Sequence, residues 1–261
     1  MNPYDFHSWY PRGTRRAIAA GANHFVATVD DTTVLKYPVA PQEAANLYLP
    51  DAQRFRRSIL RRLGKHPRII QLKGKHEDGL LLEYLPNGSV ERYLVANPRT
   101  SVKQRLVWGR QAAEGLAYIH TKNVIHGDVS VGNLLLDPHL SIKFCDFQGK
   151  FLNADGTVAL DDGSSERSMS SMPRSDHNNH DHKTDIFALG TALFVIVTGN
   201  LPFPDLDTLD EDEIQRRFEE HEFPPLEKLP GGDVIRNCWT GSYNSASEII
   251  VDLQKLEKTV E

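Results

Sequence analysis

Asp128, Asn133 and Asp146 lie in one stretch, NVIHGDVSVGNLLLDPHLSIKFCDFQG at 123–149, and their types suit one kind of chemistry. Moving a phosphoryl group takes one carboxylate to orient the incoming hydroxyl, with an amide and a second carboxylate to hold Mg²⁺ against the phosphate oxygens. Loop residues of these types commonly cap helices and form turns, but the three together at this spacing point to a site. The apolar runs LLL (134–136) and IKFCDF (142–147) are short, as paired strands are, and would hold Asn133 and Asp146 on a rigid frame.

Rigid elements must carry these residues, and hydrophobic periodicity predicts them. Residues 17–37, AIAAGANHFVATVDDTTVLKY, alternate as strands broken by a DDT turn, so a small antiparallel sheet opens the chain. In 51–63, DAQRFRRSILRRL, Phe55, Ile59, Leu60 and Leu63 recur at helical spacing, and GKHP stops the helix. Its arginines Arg54, Arg56, Arg57, Arg61 and Arg62 read as an exposed side. RIIQLKG and GLLLEYL give two more strands, followed by a linker and a helix start. Residues 101–122 form a helix with Leu106, Ala113, Leu116 and Ile119 inward, and its end delivers the chain to His126. The most apolar run, IFALGTALFVIV, has 12 residues. A membrane span takes roughly 18 or more, so this is a buried helix. EDEIQRRFEE, GGDVIRNCW and ASEIIVDLQKLEK complete a helical second half.

At 261 residues the chain can bury a sizeable core, in one large domain or two close-packed lobes. A net charge of −5 with no basic block gives no sign of nucleic-acid binding. Cys145 and Cys238 show neither CxxC spacing nor a secretory leader, which points to a reducing, cytoplasmic setting, with the nucleus left open, and to no disulfide framework. Residues 1–14 carry Tyr4, Phe6, Trp9 and Tyr10 without a period and read as a tail. Residues 150–173, polar and serine-rich, read as a mobile surface loop. HNNHDH offers His177, His180 and His182, but without the fixed ligands of a metal centre it is not read as one.

HGDVSVGN (126–133) followed by DFQ (146–148) resembles the catalytic loop H-R-D-x-x-x-x-N and the D-F-G of the eukaryotic protein kinases, serine/threonine type, and other landmarks follow in that family's order over 15–258. The resemblance implies an α+β, bilobal fold. Residues 15–85 would form a small antiparallel sheet lobe with one main helix, and 86–261 a larger, mainly helical lobe. It implies ATP and Mg²⁺, and transfer of the γ-phosphoryl group to Ser or Thr hydroxyls of a protein substrate by a monomer that binds neither nucleic acid nor membrane. By the same resemblance Asp128 is the catalytic base or orienter, Asn133 and Asp146 hold the metal, and Lys36 holds the α- and β-phosphates. AAGANHFV occupies the phosphate-covering loop with Gly21 and Val26 kept. Leu82 backs the adenine pocket, the backbones of Glu83 and Leu85 bond the base, and Leu135 packs beneath it. His126 would brace Phe147 instead of acting as acid or base, Asp185 would anchor the catalytic-loop backbone, and Gly190 would allow close packing.

The chain departs from that pattern at charged positions. Arg56 stands where a glutamate would pair with Lys36, and two like charges about 4 Å apart repel by up to ~4 kcal/mol in a partly shielded site. Ser130 replaces the lysine that would meet the γ-phosphate. Gly127 replaces the arginine that would clasp a phosphorylated segment, and Gln148 replaces the glycine after DF. MPR at 172–174 puts Arg174 in place of the A-P-E glutamate, and the partner arginine is missing near Asn244, so both ends of that ion pair are expected to be lost. These changes imply modest activity. They also leave two other expectations, a pseudokinase acting as a nucleotide-binding or scaffold module and a small-molecule phosphotransferase sharing the HGDxxxxN loop.

Overall fold

The computed structural model describes residues 10–21, 24–39, 49–163, 166–176 and 178–260. Tyr4, Phe6, Trp9, Ser164, Ser165 and His177 lie outside the described residues, as do Ala22 and Asn23 of the glycine loop. Two compact units form, one from described residues of Met1–His66 and Ile70–Leu85, the other from Pro67–Ile69 and Pro86–Glu261.

In the first unit β1 (Arg16–Ala20), β2 (His24–Thr28) and β3 (Thr33–Pro38) precede α1 (Leu49–Leu63), and β4 (Leu72–His76) and β5 (Gly79–Glu83) follow it. All pairings are antiparallel, in the order β1-β2-β3-β5-β4. The DDT turn closes on itself because Asp30 Oδ1 accepts the Thr32 N–H at 2.7 Å and the Thr32 hydroxyl at 2.9 Å. Period-2 alternation then sends Leu35 and Tyr37 into a cluster with Ala27, while Lys36 stands on the other face. α1 buries Phe55, Ile59, Leu60 and Leu63 and contacts β4 and β5. Gly64, at φ +64°, ends it by donating to Leu60 O at 3.0 Å.

The second unit contains α2 (Val90–Ala96), α3 (Val102–Thr121), β6 (Val124–Ile125), β7 (Leu134–Leu136), β8 (Ile142–Phe144), β9 (Lys150–Leu152), β10 (Val158–Asp161), α4 (His182–Thr198), α5 (Glu211–Glu219), α6 (Gly232–Trp239) and α7 (Ala246–Glu257). α4 is the apolar helix foreseen from sequence, buried along most of its length and packed on α3 and α6. Its ends are closed by polar groups. Asp181 and Thr184 form a reciprocal capping box at the start. At the other end the Arg105 guanidinium donates to Ile196 O at 2.6 Å, as well as to Thr100 O and Pro98 O at 3.1 Å, satisfying carbonyls that a helix end leaves open. Pro67–Ile69 cluster with this unit, and not with the sheet that precedes residue 85, because Arg68 O accepts the Phe144 N–H at 2.8 Å and Arg68 Nε pairs with Glu114 at 2.9 Å.

Residues 150–173 differ from the expected loop. β9 pairs with β6 and β10, and a 3-10 turn follows at Ser168–Ser170. These strands are three and four residues long, β9 half-buried and β10 exposed, so they lack the apolar alternation that marks a strand in sequence. Among the described residues no helix is long and apolar enough to cross a membrane.

Gly190 shows how tightly α4 packs, because a Cβ there would come within 2.7 Å of Cys238 Cβ and 3.0 Å of the Trp239 ring on α6. Gly190→Ala should therefore lower unfolding free energy by about 1–3 kcal/mol. Denaturant titration followed by circular dichroism measures this, with Gly74→Ala, whose nearest neighbour would be 3.6 Å away, as the near-neutral control.

Candidate active site

The segment between β6 and β7 is irregular, and irregular backbone must be held by something other than a ladder. Asp185, buried in the first turn of α4, supplies the hold: its Oδ2 accepts the His126 N–H at 2.8 Å and its Oδ1 the Gly127 N–H at 3.0 Å. Burial alone would raise its pKa, but the His120 hydrogen bond at 3.0 Å and the neighbouring histidines keep it below the usual carboxylate range. His126 is fully buried, accepts the Asp128 N–H on Nδ1 at 3.2 Å, and so carries its proton on Nε2, which donates to Cys145 O at 3.0 Å. Burial lowers its pKa and keeps it neutral, and its ring lies 4.8 Å from that of Phe147. Gly127 adopts φ +74° and has no room for a side chain, since a Cβ would stand 2.6 Å from Gly149 Cα. An arginine would not fit this backbone angle and separation.

Asp128 follows this clamp. Asn133 Nδ2 donates to its Oδ2 at 2.7 Å and to its carbonyl at 2.9 Å, while Oδ1 is buried without a hydrogen-bond partner. Burial pushes the carboxyl up to about 7, with the charge of Asp146 adding to the rise and the Asn133 hydrogen bond opposing it. β7 and β8 pair with Leu134 opposite Phe144, and Cys145 N–H donates to Asn133 O at 3.0 Å, so the open end of this hairpin brings Asn133 and Asp146 together. Asp146 holds φ +57°, uncommon for any residue but glycine. With Asn133 Nδ2 committed to Asp128, its amide oxygen is left as a hard oxygen donor, and the Asp146 carboxylate is another, the donor type that suits Mg²⁺.

The remaining sequence-selected residues belong mostly to the first unit. Val26 on β2 faces Lys36 on β3 in register, and Lys36 faces Leu80 on β5. Gly21 N–H donates to His24 O at 2.8 Å across the β1–β2 turn. Leu82 and Leu85 are buried, and Glu83 spends its N–H on Gln71 O at 3.0 Å and its carboxylate on the Gln71 N–H at 2.6 Å. Arg56 is half-buried on α1. Leu135, on β7 of the second unit, is half-buried and bridges to Ser89.

Several site residues were not legible in sequence. His120 is one, and the carboxylate that meets Arg174 is another. Arg174 Nη2 pairs with Glu166 Oε2 at 2.6 Å, the two side chains 9% and 5% exposed, and the Ser171 hydroxyl donates to the same carboxylate oxygen at 3.1 Å. The family's ion pair is absent as expected, and Arg174 has instead a carboxylate partner within its own segment. Arg167 is a third: its Nη1 donates to Glu91 Oε1 at 2.8 Å, and its Nη2 lies 2.8 Å from where Gly132 would carry a Cβ. No spacing rule links residues so far apart. Of the histidine run, burial lowers the pKa of His180 and His182, and the His182 ring lies tilted against that of His120 with centroids 4.2 Å apart.

The loop clamped by Asp185 presents the Asp128 carboxylate, held by Asn133, on an α+β architecture. The family model for the protein kinase domain matches residues 43–255, and the chain belongs to that family. Gly21, Val26 and Lys36 precede the matched region. Aurora kinase A-B of Xenopus laevis is 30% identical over 177 residues, covering 66% of this chain and 42% of that protein. Mitogen-activated protein kinase kinase kinase 7 of Drosophila melanogaster is 31% identical over 190 residues, 67% of this chain and 27% of that protein. Serine/threonine-protein kinase STY46 of Arabidopsis thaliana is 26% identical over 220 residues, 77% and 36% respectively. The chain spans less than half the length of these relatives.

Two stability measurements follow from the electrostatics. The folded chain keeps the Asp128 proton to about pH 7, whereas an unperturbed carboxyl releases it near 3.8, so stability falls as pH rises through that window. In EDTA, Asp128→Asn should therefore melt above wild type, by an advantage that grows from pH 4 to pH 7, levels off beyond it and amounts to a few kcal/mol, on the order of what a three-unit shift represents. Arg174→Met strands a buried carboxylate and should destabilise by about 3 kcal/mol, with faster proteolytic cleavage within 150–174, whereas the double variant Glu166→Gln/Arg174→Met should recover most of the loss.

Proposed function

We propose that the chain is an ATP- and Mg²⁺-dependent protein kinase that transfers the γ-phosphoryl group to Ser or Thr hydroxyls, with modest activity. The observation that carries this is the Asp128 carboxylate, with one oxygen held by Asn133 and the other buried without a partner, on a loop fixed by Asp185. A carboxyl poised near pH 7 suits acceptance of a hydroxyl proton. In the proposed step the substrate oxygen bonds to the γ-phosphorus as the bond from that phosphorus to the β,γ-bridging oxygen breaks. ADP leaves with the electron pair, and the hydroxyl proton passes to Asp128.

Asn133 and Asp146 would hold Mg²⁺, which when bound offsets charge on the phosphate oxygens. Lys36, with Gly21 and Val26 nearby in the sheet, is proposed for the phosphates. Leu82 and Leu135 are proposed for the adenine, with the Glu83 carbonyl and the Leu85 N–H as its backbone partners. The Glu83 N–H is committed to Gln71, which supports assigning the carbonyl. The relatives that carry serine/threonine-protein kinase in their names support the Ser/Thr preference. Arg56, in place of an acidic residue on α1, favours the second reading, a nucleotide-binding pseudokinase.

Asp128→Asn should reduce phosphate incorporation into a generic basic protein by about 10²-fold or more while Mg²⁺-dependent thermal stabilisation by ATP persists. Stabilisation of wild type without incorporation would give the pseudokinase preference. Phosphorylation of a small alcohol instead of protein would transfer the assignment to a small-molecule phosphotransferase.

A further inference from the structure

The side chain with the most direct claim to a further role is Arg167, whose charge acts on Asp128 although it comes from the segment after β10. Its guanidinium is located by two contacts, the 2.8 Å bond to Glu91 on α2 and the 2.8 Å approach of Nη2 to the empty Cβ position of Gly132. Gly132 immediately precedes Asn133, so the cation stands against the stretch that joins Asp128 to Asn133. Any side chain at 132 would displace it. Residues 129–132 read VSVG and contribute no positive charge of their own, and Ser130 Oγ is buried without a partner. The charges of Asp146 and Glu166 both oppose charge on Asp128.

A phosphoryl group in transfer spreads negative charge over its outer oxygens, and carboxylates alone would repel it. A guanidinium is matched to that charge in shape as well as sign. It offers five N–H donors in a planar fork, of which Glu91 engages one edge. The Arg167–Glu91 pair is half-exposed, so it is screened and leaves the cation free to attract an anion.

We propose that Arg167, lying in the space left by Gly132, contacts the phosphoryl group under transfer and supplies the positive charge that residues 129–132 lack. Arg167 donates hydrogen bonds and takes part in no covalent change; the bonds made and broken are those of the step given above. This rests on the phosphotransfer reading of the Asp128 site.

The test uses the full chain as wild type, Arg167→Met and Arg167→Lys, each checked for folding by circular dichroism. Affinities for ATP and ADP with Mg²⁺ are measured by titration calorimetry, and phosphate incorporation is measured in parallel. A residue that touches the transferred group should favour ATP over ADP, so Arg167→Met is expected to lower the ATP-to-ADP affinity ratio about tenfold, to raise KM for ATP by a similar factor and to lower kcat about 10²-fold, and Arg167→Lys to retain most of the ratio. An Arg167→Met ratio equal to wild type overturns the proposal, whatever the activity. A lowered ratio in a chain whose wild type incorporates no phosphate upholds Arg167 as a phosphate ligand and rejects only the kinase reading. A wild type that binds neither nucleotide overturns both.

Discussion

The site depends on a single buried carboxylate. Asp185 is 1% exposed, and it remains ionised there because two backbone N–H groups and a histidine point at its oxygens. An ion in that position would be costly without such donors and is rigid with them. Since the donors are the amides of His126 and Gly127, the carboxylate fixes the chain direction one residue before Asp128. Everything that follows takes its orientation from there: the His126 ring against Phe147, the close passage of Gly127 by Gly149, and the Asn133 side chain turned back on Asp128.

Around this anchor the unit concentrates negative charge. Burial raises Asp128 and Glu166, the charges of Asp146 and Glu166 add to the rise at Asp128, and that of Asp185 adds to the rise at Glu166. Two arginines of a single segment answer it in different ways. Arg174 is buried with Glu166 and holds the segment together, since removing either partner leaves an uncompensated charge in a dry place. Arg167 is half-exposed, loosely neutralised by Glu91, and faces Asp128. The first is structural and the second remains available to a ligand, and burial is the property that separates them.

Departures from the family pattern that look like losses in sequence have different standing in three dimensions. Gly127 cannot be an arginine at its present backbone angle and distance from Gly149. Arg174 reverses the charge expected at its position, yet it is paired with Glu166 of its own segment. Ser130 leaves a buried hydroxyl and no cation on the loop, which is the change with direct consequence for phosphate chemistry.

Periodicity in the chain alone determined the α1, α3 and α4 helices, the antiparallel strands of the first unit and the β7–β8 hairpin, because each is dictated by neighbours within a few residues. The spacing of Asp128, Asn133 and Asp146 was legible for the same reason: one loop and one hairpin set it. The β9–β10 hairpin escaped, because its strands are short, lack apolar alternation and are held by the pairing of β9 with β6. Only the tertiary structure decided which charges meet. Glu91 with Arg167, Glu166 with Arg174 and His120 with Asp185 are brought together by how helices and loops pack, and electrostatic contact depends on distance through space, which no local pattern along the chain encodes.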